Sequence, residues 1–247
     1  MTLLQELAED TDPDDGISPV APQIFGDILL GSGDDSIVST AGFIGGDIDF
    51  GAGNDVLSLD DTAFSGGLSN QDGLDITVAN DSLLAITSAQ PVDITSASFD
   101  GTSTFSPLVD GDAGTASTLQ ATGAITFAAG AQINPTLTNL INSDTVGNNA
   151  LSRFEIASGS SVTVDDLAGL NASDDGSFLF DTAFDLVDDT LFVTVALREA
   201  SALGLDPTQT GLAESVFSAT MQALQNNNAL GNELANLGTA SEFYAAY

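Results

Sequence analysis

Gly26-Asp27-Ile28-Leu29-Leu30-Gly31-Ser32-Gly33-Asp34-Asp35-Ser36-Ile37 returns twenty residues later as Gly46-Asp47-Ile48-Asp49-Phe50-Gly51-Ala52-Gly53-Asn54-Asp55-Val56-Leu57. Six of the twelve positions are identical, and Ile37 against Leu57 keeps its chemistry. A period of this size belongs to solenoids, and short apolar segments broken by glycine and aspartate turns point to a parallel β-helix among them. Each copy is expected to be one coil, with Ile28, Ile37 and Ile44 stacking on Ile48, Leu57 and Phe64, since a lone coil cannot bury its own inner face.

Outward from the repeat, strand-sized segments continue at 74–78, 83–87, 92–95 and 124–127, separated by Gly, Asn, Asp and Ser. The expected fold is therefore mainly β: a parallel β-helix with a β-rich C-terminal cap and a C-terminal α-helix. Residues 1–22, acidic and proline-bearing, read as a short helical turn and a lead-in; 23–150 as the stalk; 151–204 as the cap; 205–247 as helix. Pro135 and the polar stretch 142–149 mark a loop within the stalk's end. In the cap, 184–197 alternates with period two and reads as a hairpin turning at Asp188-Asp189. Asp206-Pro207-Thr208-Gln209 has the form of a helix start, with Leu212, Val216, Phe217, Met221 and Leu224 as its apolar stripe. Asn226-Asn227-Asn228 interrupts it, and Leu230, Leu234 and Leu237 begin a second segment.

Charge narrows the functions. The 247 residues carry 36 acids against Arg153 and Arg198, with no lysine, histidine or cysteine, for a net charge of −34. Nucleic acid and anionic membrane surfaces are excluded as partners, because binding either requires cations. No run approaches the ~18 apolar residues of a spanning helix, and the N-terminus lacks the basic and apolar regions of a signal peptide. Any export signal is expected outside this stretch.

The order of Gly/Asp-rich coils, a strand-rich unit over 154–197, then Leu203-Gly204-Leu205-Asp206 and an Ala/Leu/Asn/Gln helix resembles the passenger C-terminus of type V autotransporters. That resemblance implies a non-catalytic stalk on the surface of a Gram-negative bacterium, with an autochaperone cap that folds first after export. It also implies as partners the protein's own outer-membrane barrel and the barrel-assembly machinery, with a linker helix between. The cap residues expected to drive folding are Phe154, Phe178, Phe180, Leu191, Val193 and Val195, whose burial would close the solenoid's open end.

Chemistry rests on the acids. Residues 30–38 and 50–58 nearly match the calcium nonapeptide of repeats-in-toxin proteins, lacking its first glycine, with the copies 20 apart. Coils stack about 4.8 Å apart, so Asp27 would lie over Asp47 and Asp35 over Asp55, where like charges repel by roughly 1 kcal/mol in water. Calcium at Asp27, Asp35, Asp47 and Asp55 would reverse that sign; the alternative is that all four are solvated turn residues accepting backbone hydrogen bonds. No cofactor is required by the stalk reading. A calcium-dependent adhesive or self-assembling surface protein is the alternative function, which leaves self-association or a surface ligand as partners. A carbohydrate-active enzyme is a third, with Asp34/Asp35, Asp60/Asp61, Asp165/Asp166, Asp174/Asp175 and Asp188/Asp189 as its only paired acids. Without His, Cys or Lys, nucleophilic triads and Schiff bases are out of reach, and no catalytic residue is assigned.

Overall fold

Residues two apart in a strand face the same way, so each short Val/Ile/Leu segment has one apolar side to bury. A computed structural model of the chain describes residues 1–6, 20–141, 152–172, 177–198, 203, 221–222, 224, 228–239 and 242. It is mainly β, with stacked parallel sheets in a β-solenoid-like arrangement.

One sheet runs β1 (Thr2–Gln5), β4 (Ser36–Ser39), β7 (Val56–Asp60), β10 (Asp75–Ala79), β13 (Ser96–Phe99), β17 (Ala124–Phe127) and β21 (Ser161–Val164), all parallel. A second runs β2 (Gln23–Phe25), β5 (Gly42–Gly45), β8 (Thr62–Gly66), β11 (Leu83–Ile86) and β14 (Thr104–Asp110). On β14 sit β15 (Thr115–Ala116), antiparallel, and β18 (Gln132–Ile133) and β19 (Thr136–Thr138), both parallel. Two further sheets complete the coils. β3 (Ile28–Leu29), β6 (Ile48–Asp49) and β9 (Leu68–Ser69) form the shorter. β12 (Pro91–Ile94), β16 (Thr118–Ala121), β20 (Ser152–Ser158), β23 (Thr190–Leu197) and β22 (Phe180–Val187) form the longer, whose last two pairings are antiparallel.

The core consists of columns that follow this register. Leu3, Ile37, Leu57, Ile76, Ala97, Ile125 and Val162 are successive partners in the first sheet. Ile24, Ile44, Phe64, Leu84, Phe105 and Ile133 form the matching column in the second. Phe99 and Phe127, also register partners, stack with ring centroids 4.6 Å apart. Full burial of one such side chain contributes about 1.5–3 kcal/mol.

Register separation explains where the repeat fades. It is 20 from Ile37 to Leu57, 19 from Leu57 to Ile76 and 21 from Ile76 to Ala97, then 28 to Ile125 and 37 to Val162. The coils persist while insertions lengthen them. Four sequence readings differ from the fold. Thr2–Gln5 is a strand, because β4 offers it an in-register edge, and not a helical turn. Pro135 does not open a loop between subregions, since β18 and β19 on either side of it both pair with β14. β20 and β21 continue the stack through parallel pairing with β16 and β17, so the coils extend to Val164, past the expected boundary. A helix, α1 (Leu167–Ala172), was not foreseen. The helix start at 206–209 with Leu212, Val216 and Phe217, and the loop 142–149, lie outside the described residues. Met221 and Leu224 are buried, and α2 (Asn228–Ala235) is the second helical segment.

Glycine is required where coils touch. Gly51 has φ +79°, and a Cβ there would lie 1.4 Å from the Gly31 carbonyl oxygen, whereas Gly31 at φ +107° faces open space. Gly31→Ala is expected to cost about 1–3 kcal/mol for backbone strain alone. Gly51→Ala should cost clearly more, as read by urea unfolding, because the stacked backbones must also separate.

Candidate functional site

Aspartates at the coil corners accept backbone N–H groups from neighbouring coils. Asp27 Oδ1 takes the Asp47 amide at 3.0 Å, and Asp47 Oδ1 takes the Gly67 amide at 2.7 Å, both in exposed positions. Elsewhere an asparagine from the following coil donates to the acid: Asn54 to Asp34, Asn70 to Asp49, Asn80 to Asp60 and Asn139 to Asp110. An amide over an acid removes the like-charge repulsion of stacked aspartates and adds a charge-assisted bond.

Asp100 shows the electrostatic result. Partial burial pushes its carboxyl up, but amides of Asn80, Thr102 and Ser103 and the Thr102 hydroxyl together outweigh this and hold it below the ordinary aspartate value.

Asp35 and Asp55 stand apart from this pattern. They are 5% and 0% exposed, on adjacent coils, and Asp55 Oδ1 accepts the Asp35 amide at 2.8 Å. The Met1 ammonium group donates to Asp35 Oδ1. Oδ2 of each aspartate is closed to solvent and has no hydrogen-bond partner. A carboxylate buried without compensation costs roughly several kcal/mol. The four expected calcium residues therefore divide into an exposed, bonded pair, Asp27 and Asp47, and a buried pair with open valences. Among the described residues, no three His, Cys, Asp or Glu side chains converge as a metal cage.

Among the described residues, several of the paired acids serve turns and a helix start. Asp61, Asp188 and Asp189 have positive φ and form turns, the last two making the hairpin between β22 and β23. Asp166 accepts the Gly169 amide at 2.8 Å at the start of α1. Asp174 and Asp175 lie outside the described residues. A cleft across several coils is lined by Asp72, Asp93, Ile94, Gln120, Ala121 and Ser158.

The C-terminal end is closed by carboxamides. Asn171 of α1 takes the Phe184 amide at 2.6 Å and donates to the Phe184 carbonyl at 2.9 Å, on the free side of β22. Asn236, just past α2, does the same to Leu137 of β19, both at 2.7 Å. Asn232 takes the Asn139 amide and donates to the Thr138 hydroxyl. A carboxamide carries the same donor and acceptor as a peptide group, so Asn171 and Asn236 each substitute for one residue of a missing strand. Comparison with protein-family models, with curated proteins and with solved structures returned no match.

Of the expected cap residues, Phe154, Phe180, Leu191, Val193 and Val195 are buried, and Phe178 packs partly buried against the same core. Both arginines belong to the cap, Arg153 on β20 and Arg198 directly after β23. Arg153 of β20 lies 3.5 Å over the Phe192 ring of β23 and pairs with Asp185 of β22 at 2.5 Å; Arg198 pairs with Asp181 at 2.8 Å. The edge-closing asparagines escaped the sequence reading; their signal is the i, i+4 spacing of Asn232 and Asn236 among Ala and Leu.

Asn236→Leu should cost about 1–3 kcal/mol for each of the two Leu137 groups left unpaired, seen as early urea unfolding and faster amide exchange at Leu137. For Asp100, a lowered carboxyl contributes stability above the unfolded aspartate value and loses it as pH falls through the folded one. The melting-temperature gap between wild type and Asp100→Asn should therefore narrow from pH 6 to pH 3.

Proposed function

We propose that the protein is a non-catalytic, surface-exposed stalk of the autotransporter passenger type, whose C-terminal cap drives its folding after export. The observation that carries this reading is the inequality of the two ends. At the C-terminal end, edge strands β19 and β22 are covered by α2, Asn236 and α1, over a core holding Phe180, Leu191, Val193 and Val195. At the N-terminal end β1, β2 and β3 are each the last strand of their sheet among the described residues, and Leu4, Phe25 and Leu29 are exposed. Unpaired parallel edges with apolar neighbours extend readily by one more coil, which is how a stalk grows from a finished end.

A finished end is also the natural nucleus. Its antiparallel β22–β23 hairpin closes over two turn residues, whereas every coil must close a loop of about 20 residues or more before it gains a hydrogen bond. Local contacts form faster. The extreme acidity fits exposure to solvent, and the absence of cysteine fits passage through a narrow pore in an extended state.

The test is refolding kinetics on the full chain. Phe180→Ala in the cap should slow refolding in proportion to its loss of stability, whereas Leu57→Ala in the stalk should mainly speed unfolding. The reverse pattern would place the nucleus in the coils and remove the autochaperone role.

A further inference from the structure

The buried pair Asp35 and Asp55 has no place in the stalk reading, which needs only solvated turn residues at coil corners. Asp55 is fully enclosed, receives one backbone N–H and keeps a second oxygen with no donor. Asp35 is in the same condition at its own Oδ2. The chain's positive groups cannot serve Asp55: both arginines are held on the cap by Asp185 and Asp181, and the Met1 ammonium is bonded to Asp35 on its other oxygen. Asp55 thus lacks any cation that would make its burial favourable, and Asp35 one coil away is met by the Met1 ammonium on Oδ1 alone, which leaves two enclosed oxygens without a partner.

We propose that Asp35 and Asp55 bind one calcium ion between the second and third coils through their free Oδ2 atoms. Both donors are anionic oxygens, which selects a hard cation and excludes zinc, whose sites draw on sulfur and imidazole that this chain lacks. Calcium accepts irregular oxygen sets completed by backbone carbonyls or water, whereas magnesium demands regular octahedral geometry and retains its waters. The ion would act as a staple near the open end. It would tie the first repeat to the second where the first sheet has only β1 below it, and so make the N-terminal coils calcium-dependent while leaving the cap unaffected. Asp27 and Asp47 are excluded from the site, because both are exposed and water already solvates their carboxylates.

The experiment is calcium titration of the chelated full-length chain by calorimetry, paired with thermal unfolding in calcium and in chelator. Magnesium at equal ionic strength is the reference. Wild type should bind one calcium and melt higher in its presence than in magnesium. Asp35→Asn and Asp55→Asn should each lose at least tenfold in affinity and most of the melting shift, while Asp47→Asn retains both. In chelator, Asp55→Asn should melt no lower than wild type, since its amide keeps the acceptor for the Asp35 N–H and removes the buried charge; this readout holds even if calcium binding is gone. Equal melting of wild type in calcium, magnesium and chelator would overturn the site. So would an Asp47→Asn variant that loses calcium as completely as Asp55→Asn, because that would reduce the effect to general screening of an acidic surface.

Discussion

Every coil of this protein is incomplete by itself. Its backbone donors and acceptors point along the solenoid axis, and its apolar residues face inward on a ring too thin to cover them, so both find partners only in the coil above and the coil below. The register columns express this constraint directly. Leu3 to Val162 in one sheet and Ile24 to Ile133 in another are apolar at every level, because one polar residue would leave two neighbours exposed. The same constraint makes the ends special, and among the described residues the two ends answer it differently: asparagine side chains and an antiparallel hairpin at one, strand edges without a further strand at the other.

Stacking also repeats charge, and here the chain's acidity meets its fold. With a net charge of −34, aspartates placed at the same corner of successive coils would accumulate repulsion. Alternation relieves it, as asparagine follows aspartate at Asp34, Asp49, Asp60 and Asp110. Hydroxyls play a related part inside the stack, where the buried Ser39 and Thr62 hydroxyls bond at 2.8 Å and the Thr62 hydroxyl donates to the Asp60 carbonyl at 2.9 Å. Asp35 over Asp55 is a buried place where neither device operates.

The coil architecture was legible from two adjacent repeats, because those coils carry no insertion and their inward positions recur at a fixed spacing. Ile37, Ile44, Leu57 and Phe64 pair as their spacing implies. Later coils were legible only as texture: the steps of 28 and 37 residues carry additions such as β15 that break the count without breaking the register. Thr2–Gln5 was misread since its four residues have no alternation of their own and take their form from β4. At the candidate site, sequence placed four aspartates on one footing. Burial separates them, and burial depends on which side of the corner each side chain leaves the coil. The asparagine caps were invisible for a similar reason, as a carboxamide's role is set by the strand it meets.

The position of the two arginines has one more consequence. A chain without lysine offers a trypsin-like protease two peptide bonds, following Arg153 and Arg198. The first lies within β20, hydrogen-bonded to β23, its side chain clasped between Phe192 and Asp185; the second residue is held by Asp181 and donates its own amide to Leu179. The coils before β20 present no such bond. The composition alone thus limits that whole enzyme class to two places of attack, the first of them inside a paired strand.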